Sequence, residues 1–191
     1  MTSLPNILTM SRIAAIPLIV AFLYLNSTFW CWLAFILYAL ACITDFFDGY
    51  IARRMEKVSA LGRFLDPIAD KLVIAAIILV LVATHHITGW ATLAALIILC
   101  REILVSGLRE FLAELRVGVP VSVLAKWKTM VQMIALGFLI LGDFGPAALH
   151  CELIGEIMLW IAAVLTLITG YDYLLVGLRH MAADDRGSGA A

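Results

Sequence analysis

Six apolar segments, near residues 4–25, 29–47, 64–83, 90–111, 121–141 and 149–178, follow one another with only short polar or turn-rich stretches between them. Each is compatible with a helix that crosses a bilayer, which takes about 20 mostly apolar residues. Backbone groups in hydrocarbon must pair internally, and the alternating pattern of a barrel is absent. The expected fold class is therefore all-α: a polytopic membrane protein with six transmembrane helices. Composition agrees, since 64% of the 191 residues are hydrophobic and only 14% are charged. A soluble domain of this size needs more polar residues to cover its surface. The length leaves room for a single domain over residues 1–191, with 183–191 expected as a mobile tail.

Pro5, Asn6, Ser11 and Arg12 interrupt the first segment, so its front is expected as an N-terminal amphipathic stretch in the membrane interface. No basic region and small-residue cleavage site precede it, so a removable signal peptide is not expected. The connections 26–27, 84–89 and 142–151 contain none of the 13 Lys and Arg residues. Those residues lie at the other helix ends, which by the positive-inside rule places both termini and both charged loops in the cytoplasm. Cys42 and Cys100 fall in apolar runs and read as packing residues. Cys31 and Cys151 fall near one membrane face, where pairing is open. His85 and His86 read as solvated loop residues.

Charge gathers in two places. In TDFFDGYIARR, Asp45 and Asp48 are spaced i, i+3 and share a helix face. In GRFLDPIADK, Asp66 and Asp70 are spaced i, i+4 on the next helix, with Pro67 suited to its first turn and Asp66 to its N-cap. A short basic loop brings both pairs to one side of the membrane. Four carboxylates cannot gather in a low-dielectric place without cations. One reading is a charge belt with Arg53, Arg54, Arg63 or Lys71. The other is a site for Mg²⁺ or Mn²⁺, which take hard oxygen ligands, water and substrate phosphate. The matched spacing, and the small Gly49 and Ala52 beside the acids, favour the metal site.

Written out, the stretch is D-x2-D-G-x2-A-R-x8-G-x3-D-x3-D, from Asp45, Asp48, Gly49, Ala52 and Arg53 through Gly62, Asp66 and Asp70. It resembles, position for position, the signature of the CDP-alcohol phosphatidyltransferases, six-helix membrane enzymes that transfer a phosphatidyl group from a CDP-linked lipid to an alcohol and release CMP. The resemblance implies that Asp45, Asp48 and Asp66 hold two divalent cations. Asp70 would be the base that takes the acceptor's proton, and would also touch a metal. It also implies that Gly49, Ala52, Gly62 and Arg53 accommodate the nucleotide and diphosphate, and that the enzyme is a homodimer.

The acceptor is sought in the remaining charges. Arg101 and Arg109 in REILVSGLREFLAEL, with Lys126, Lys128 and Thr129 in AKWKTMVQM, would suit an anionic acceptor. An Arg101–Glu102 pair and snorkelling lysines are the structural alternative. These segments resemble the R-E-x4-G/A-L-R-E and K-x-K-T-x2-Q patterns of the bacterial branch of the family that uses glycerol 3-phosphate. The start PNILTMSR resembles that branch as well, and implies that Asn6 and Thr9 reach the nucleotide; a helix-capping role is the alternative. The expected activity is transfer from CDP-diacylglycerol to sn-glycerol 3-phosphate at the cytoplasmic face of a bacterial inner membrane, without nucleic-acid partners. Inositol phosphate is the alternative acceptor, and a cation channel or transporter is the alternative class.

Overall fold

The computed structural model describes the backbone of residues 4–54, 60–114 and 123–188, and the side chains of 9–45, 68–69, 71–113, 123–175 and 177. Six long helices follow in order: α1 (Leu4–Tyr24), α2 (Thr28–Arg54), α3 (Ala60–Ala83), α4 (Ala91–Glu114), α5 (Val123–Leu141) and α6 (Cys151–Ser188). Two short 3₁₀ turns, Gly142–Phe144 and Ala147–Leu149, join α5 to α6, and no strand occurs among the described residues. Four stretches of the described residues are long and apolar enough to cross a membrane: Thr28–Asp45, Ala91–Ala113, Val123–Phe144 and Ala147–Leu175. Shorter apolar helices cover Thr9–Tyr24 and Lys71–Ala83.

The exterior confirms what the composition requires of a membrane protein. Phe29, Ile103, Val123 and Trp90 are among the large apolar side chains left exposed, Trp90 at 81%. In water such a surface would aggregate; against lipid it has no such cost. The bundle is built from two trios. α1 packs on both α2 and α3, α6 packs on both α4 and α5, and the halves meet through α2–α5, α3–α4 and α3–α5 contacts. Ile19, Leu23, Ile77, Leu81, Leu136, Leu139, Ile140 and Leu159 are fully buried within it. Small residues allow close crossings: a Cβ added to Gly155 of α6 would lie 2.7 Å from Leu139 Cγ of α5.

Three elements differ from the sequence expectation. α3 already begins at Ala60, so Asp66 and Pro67 lie inside the helix rather than at its N-cap and first turn. α1 runs unbroken from Leu4 to Tyr24, with Pro17 inside it, so the interfacial stretch and the following apolar run are one helix. α6 continues to Ser188, so residues 183–188, expected within the mobile tail, extend a helix instead. Ala182 and Ala183 are strong helix formers, and no proline follows them.

The connections that lack Lys and Arg are tied together. Trp32 Nε1 donates to the Phe144 carbonyl at 3.1 Å, and the Phe144 ring meets His86 edge-on at 6.3 Å. His86 is half-buried rather than solvated, while His85 is exposed at φ 63°. Thr84 Oγ1 donates its only proton to the Val80 carbonyl at 2.8 Å, so His86 Nδ1, 2.9 Å away, is the donor in that pair. Gly142 faces this histidine at φ +45°, where a Cβ would meet His86 Cδ2 at 2.9 Å, so both backbone and space call for glycine. All four cysteines are free, with Cys31 and Cys151 both buried.

Candidate active site

A cavity of about 260 Å³ opens between the two trios. It receives Arg12 from α1, Asp45 from α2, Lys71 from α3, Arg101, Glu102 and Arg109 from α4, Lys128, Thr129 and Gln132 from α5, and Tyr173 from α6. Arg101, Arg109, Lys128 and Thr129, read from sequence as acceptor-binding, thus share one chamber with the first aspartate of the signature. Lys126 is exposed and does not line it. Thr9 is buried in α1 one turn before Arg12 and does not line it either. The side chains of Asn6, Asp48, Gly49, Ala52, Arg53, Gly62, Asp66 and Asp70 lie outside the described residues. Their backbones belong to α1, α2 and α3, with Asp45 and Asp48 on one helix and Asp66 and Asp70 on the next.

The polar wall is held by specific pairs. Arg12, only 5% exposed, donates from Nη1 to Asp45 Oδ1 at 2.8 Å. A carboxylate offers about four lone-pair sites, so this contact leaves Asp45 capacity for further ligands. Glu102 Oε1 accepts from Arg101 Nη1 at 3.4 Å and also from Lys128 Nζ. The Arg101–Glu102 pair of the structural alternative is therefore present, in the cavity wall, while Lys128 is buried against Glu102 rather than snorkelling. Arg101 Nη2 donates to Thr169 Oγ1 at 3.0 Å, and Arg109 Nη2 donates to the Tyr173 hydroxyl at 3.0 Å. The Tyr173 ring lies under both guanidinium groups, 5.9 Å from Arg101 Cζ and 5.3 Å from Arg109 Cζ.

Among the described lining residues, Arg12, Lys71, Arg101, Arg109 and Lys128 are cationic and only Asp45 and Glu102 are anionic. Positive charge away from bulk water attracts an anion. Among the described residues no three His, Cys, Asp or Glu side chains are placed to hold a metal ion. Three of the four signature aspartates lie outside those residues.

The cavity leads into grease. Tyr38, Cys42 and Met133 line both it and an apolar groove of about 440 Å³ between α2 and α5, whose far end is formed by Trp32, Leu149 and Cys151. Tyr38 donates its hydroxyl to the Met133 carbonyl at 3.0 Å, joining the halves at the place where the two spaces meet.

Tyr38 and Tyr173 were not singled out from sequence, and Gln132 entered only as the last position of the K-x-K-T-x2-Q pattern, with no role assigned. Tyr173 meets Arg109 across 64 residues, a pairing that spacing along the chain does not encode. Arg12 did carry a signal, because an arginine within an apolar helix needs a partner.

Residues 2–168 match the CDP-alcohol phosphatidyltransferase family. The chain belongs to this family. Relatives across it are similar over nearly their whole length. A CDP-diacylglycerol–glycerol-3-phosphate 3-phosphatidyltransferase of Rickettsia bellii is 53% identical over 171 residues, covering 90% of this chain and 93% of the relative. Proteins of the same name from Shigella flexneri, 41% identical over 174 residues, and Cereibacter sphaeroides, 36% identical over 214, cover 90% and 94% of this chain and 93% and 97% of the relatives.

Proposed function

We infer that the chain transfers the phosphatidyl group of CDP-diacylglycerol to sn-glycerol 3-phosphate, giving phosphatidylglycerophosphate and CMP. The observation that carries this is the cavity that joins Asp45 to Arg101, Arg109 and Lys128, in a member of this family with relatives of that name over nearly the full length. An acceptor hydroxyl oxygen forms the new bond to the phosphatidyl phosphorus. The bond from that phosphorus to CMP breaks, and the hydroxyl proton passes to Asp70. Arg101 and Lys128, fixed by Glu102 and Thr169, hold the acceptor phosphate; Arg109, braced by Tyr173, neutralises it from the side. The diphosphate is held by Arg53, and the nucleotide lies against Gly49, Ala52 and Gly62 with Asn6 and Thr9 near it. The acyl chains run along the groove between α2 and α5, which begins at Cys42 and Met133.

Asp45, Asp48, Asp66 and Asp70 form a donor set of hard oxygens on two adjacent helices, suited to two divalent cations, Mg²⁺ or Mn²⁺. When bound, such cations neutralise the diphosphate and stabilise CMP as the leaving group. Chelation is expected to abolish turnover, with Mg²⁺ or Mn²⁺ restoring it. Asp45→Asn, Asp48→Asn and Asp66→Asn are expected to lose turnover and weaken metal binding. Asp70→Asn is expected to lose turnover while CDP-lipid binding, read by isothermal titration, changes less.

In the membrane, α1 and α3 complete six spans with the four long apolar helices, and the start of α1 lies in the cytoplasmic interface. Both termini face the cytoplasm of a bacterial inner membrane, because the connections without Lys and Arg all lie at the other end. Trp90 and Trp127 at opposite ends of the bundle suit the two aromatic belts. The enzyme works as a homodimer.

The deciding experiment supplies purified protein with labelled CDP-diacylglycerol and one acceptor at a time. CMP release with glycerol 3-phosphate and not with inositol phosphate is expected; the reverse sinks the acceptor assignment. Arg101→Ala and Lys128→Ala should raise the acceptor KM and spare CDP-lipid affinity. Both aspartate pairs fall toward the helix ends that the α2–α3 connection joins, with arginines adjacent in sequence, which speaks against a cation channel, and ion flux in proteoliposomes of the Asp70→Asn variant would be the result that revives one.

A further inference from the structure

We propose that Gln132 reads the acceptor hydroxyl that does not react, and so sets the preference for a vicinal diol phosphate. Gln132 lines the cavity and is 0% exposed, yet neither Oε1 nor Nε2 has a hydrogen-bond partner among the described residues. Buried amides are almost always satisfied, and an orphaned one points to an absent partner. It sits one helical turn beyond Lys128 on α5 and three residues beyond Thr129, so all three share a face.

The chemistry of the guest follows from the amide. Oε1 needs a donor and Nε2 needs an acceptor. A phosphate dianion offers only acceptors and would leave Oε1 unmet. An alkyl chain would leave both unmet. A hydroxyl is donor and acceptor in one group, so it alone can give both Oε1 and Nε2 a partner. The proposal rests on the acceptor reading above: with the phosphate at Arg101 and Lys128 and the reacting hydroxyl on the side of Asp45, the remaining hydroxyl of glycerol 3-phosphate is the group left for Gln132. A water molecule can stand in when the cavity holds no acceptor.

Two acceptors separate this role from a structural one. sn-Glycerol 3-phosphate carries the second hydroxyl, and 3-hydroxypropyl phosphate lacks it while keeping the reacting hydroxyl and the phosphate. The wild-type enzyme is expected to prefer the first by roughly ten- to hundredfold in kcat/KM, the loss of one buried hydrogen bond. Gln132→Leu and Gln132→Met remove both polar atoms at similar volume. Each is expected to cut kcat/KM for glycerol 3-phosphate, leave 3-hydroxypropyl phosphate nearly unchanged, and bring the ratio toward one. Both variants should melt no lower than wild type, because an unsatisfied amide has been replaced by an apolar group.

A wild-type ratio near one, an equal loss for both acceptors, or an unaltered ratio in the variants overturns the proposal. So does failure of both variants to fold, which would make Gln132 structural. Arg101→Ala assayed with the same pair tests the underlying reading separately: KM should rise for both acceptors alike. If it rises for neither, the acceptor site itself is misplaced.

Discussion

Arg101 shows how much of the site depends on what surrounds a single side chain. Its guanidinium is shared among Glu102, Thr169 and the face of Tyr173, while its stem passes Gly170, where an added Cβ would stand 3.1 Å from Arg101 Cγ. Gly170→Ala is therefore expected to displace the arginine by a few tenths of an ångström. The acceptor KM should rise several-fold with little change in melting temperature, as steady-state kinetics beside a thermal melt would report. Glu102 has the opposite profile. It ties Arg101 to Lys128, which is 5% exposed, so Glu102→Ala leaves a buried ammonium without its carboxylate. A loss of about 3–5 kcal/mol is expected from denaturant unfolding in detergent. At this scale the sequence was legible for the charged residues, because arginines, lysines and aspartates in apolar helices need a reason to be there. It was silent about Tyr173, which meets Arg109 only across the folded bundle, and it offered Gln132 only as the end of the K-x-K-T-x2-Q pattern, with no sign that its buried amide lacks a partner.

Helix boundaries and crossings obey simpler physics. The apolar runs marked six helices, but lipid thickness and helix length are different quantities, so α2 extends past its apolar run to Arg54 and α6 to Ser188. α1 runs through Ser11 and Arg12 without a break, and Arg12 meets its charge requirement inside the bundle by pairing with Asp45. At the α5–α6 crossing, Gly155→Ala would put a Cβ 2.7 Å from Leu139 Cγ and 3.2 Å from its backbone nitrogen. A destabilisation of about 1–3 kcal/mol is expected in unfolding assays, larger for Gly155→Leu. The α3–α4 connection carries a pH dependence. Burial lowers the pKa of His86 below its ordinary 6.5, against the opposing pull of Asp143. The folded protein therefore disfavours the protonated ring more than the unfolded chain does. The associated stability is complete above pH 6.5 and is lost as pH falls through the lowered folded value. Thermal melts across that window should slope less in His86→Gln.

The whole molecule is two trios with a polar chamber along their seam. Contacts within each trio outnumber those across it, so a ligand that bridges Arg101 and Lys128 on one side and Asp45 on the other adds to the thinner set. Glycerol 3-phosphate is expected to raise the melting temperature of wild-type protein and not of Arg101→Ala. The all-helical order of α1 to α6 was legible from apolar run lengths. The seam was not, since which helix packs on which depends on crossings such as Gly155 against Leu139 that no run length encodes. Tyr38, Cys42 and Met133 line the polar chamber and the greasy groove alike, and on the proposed reading this shared threshold lets the two reactants be supplied independently. One reactant arrives from three-dimensional solution and the other by two-dimensional diffusion, and neither has to change phase. Velocity should therefore follow the mole fraction of CDP-diacylglycerol in its micelle or bilayer, falling on dilution with inert detergent at constant total lipid, while the acceptor continues to obey its bulk concentration.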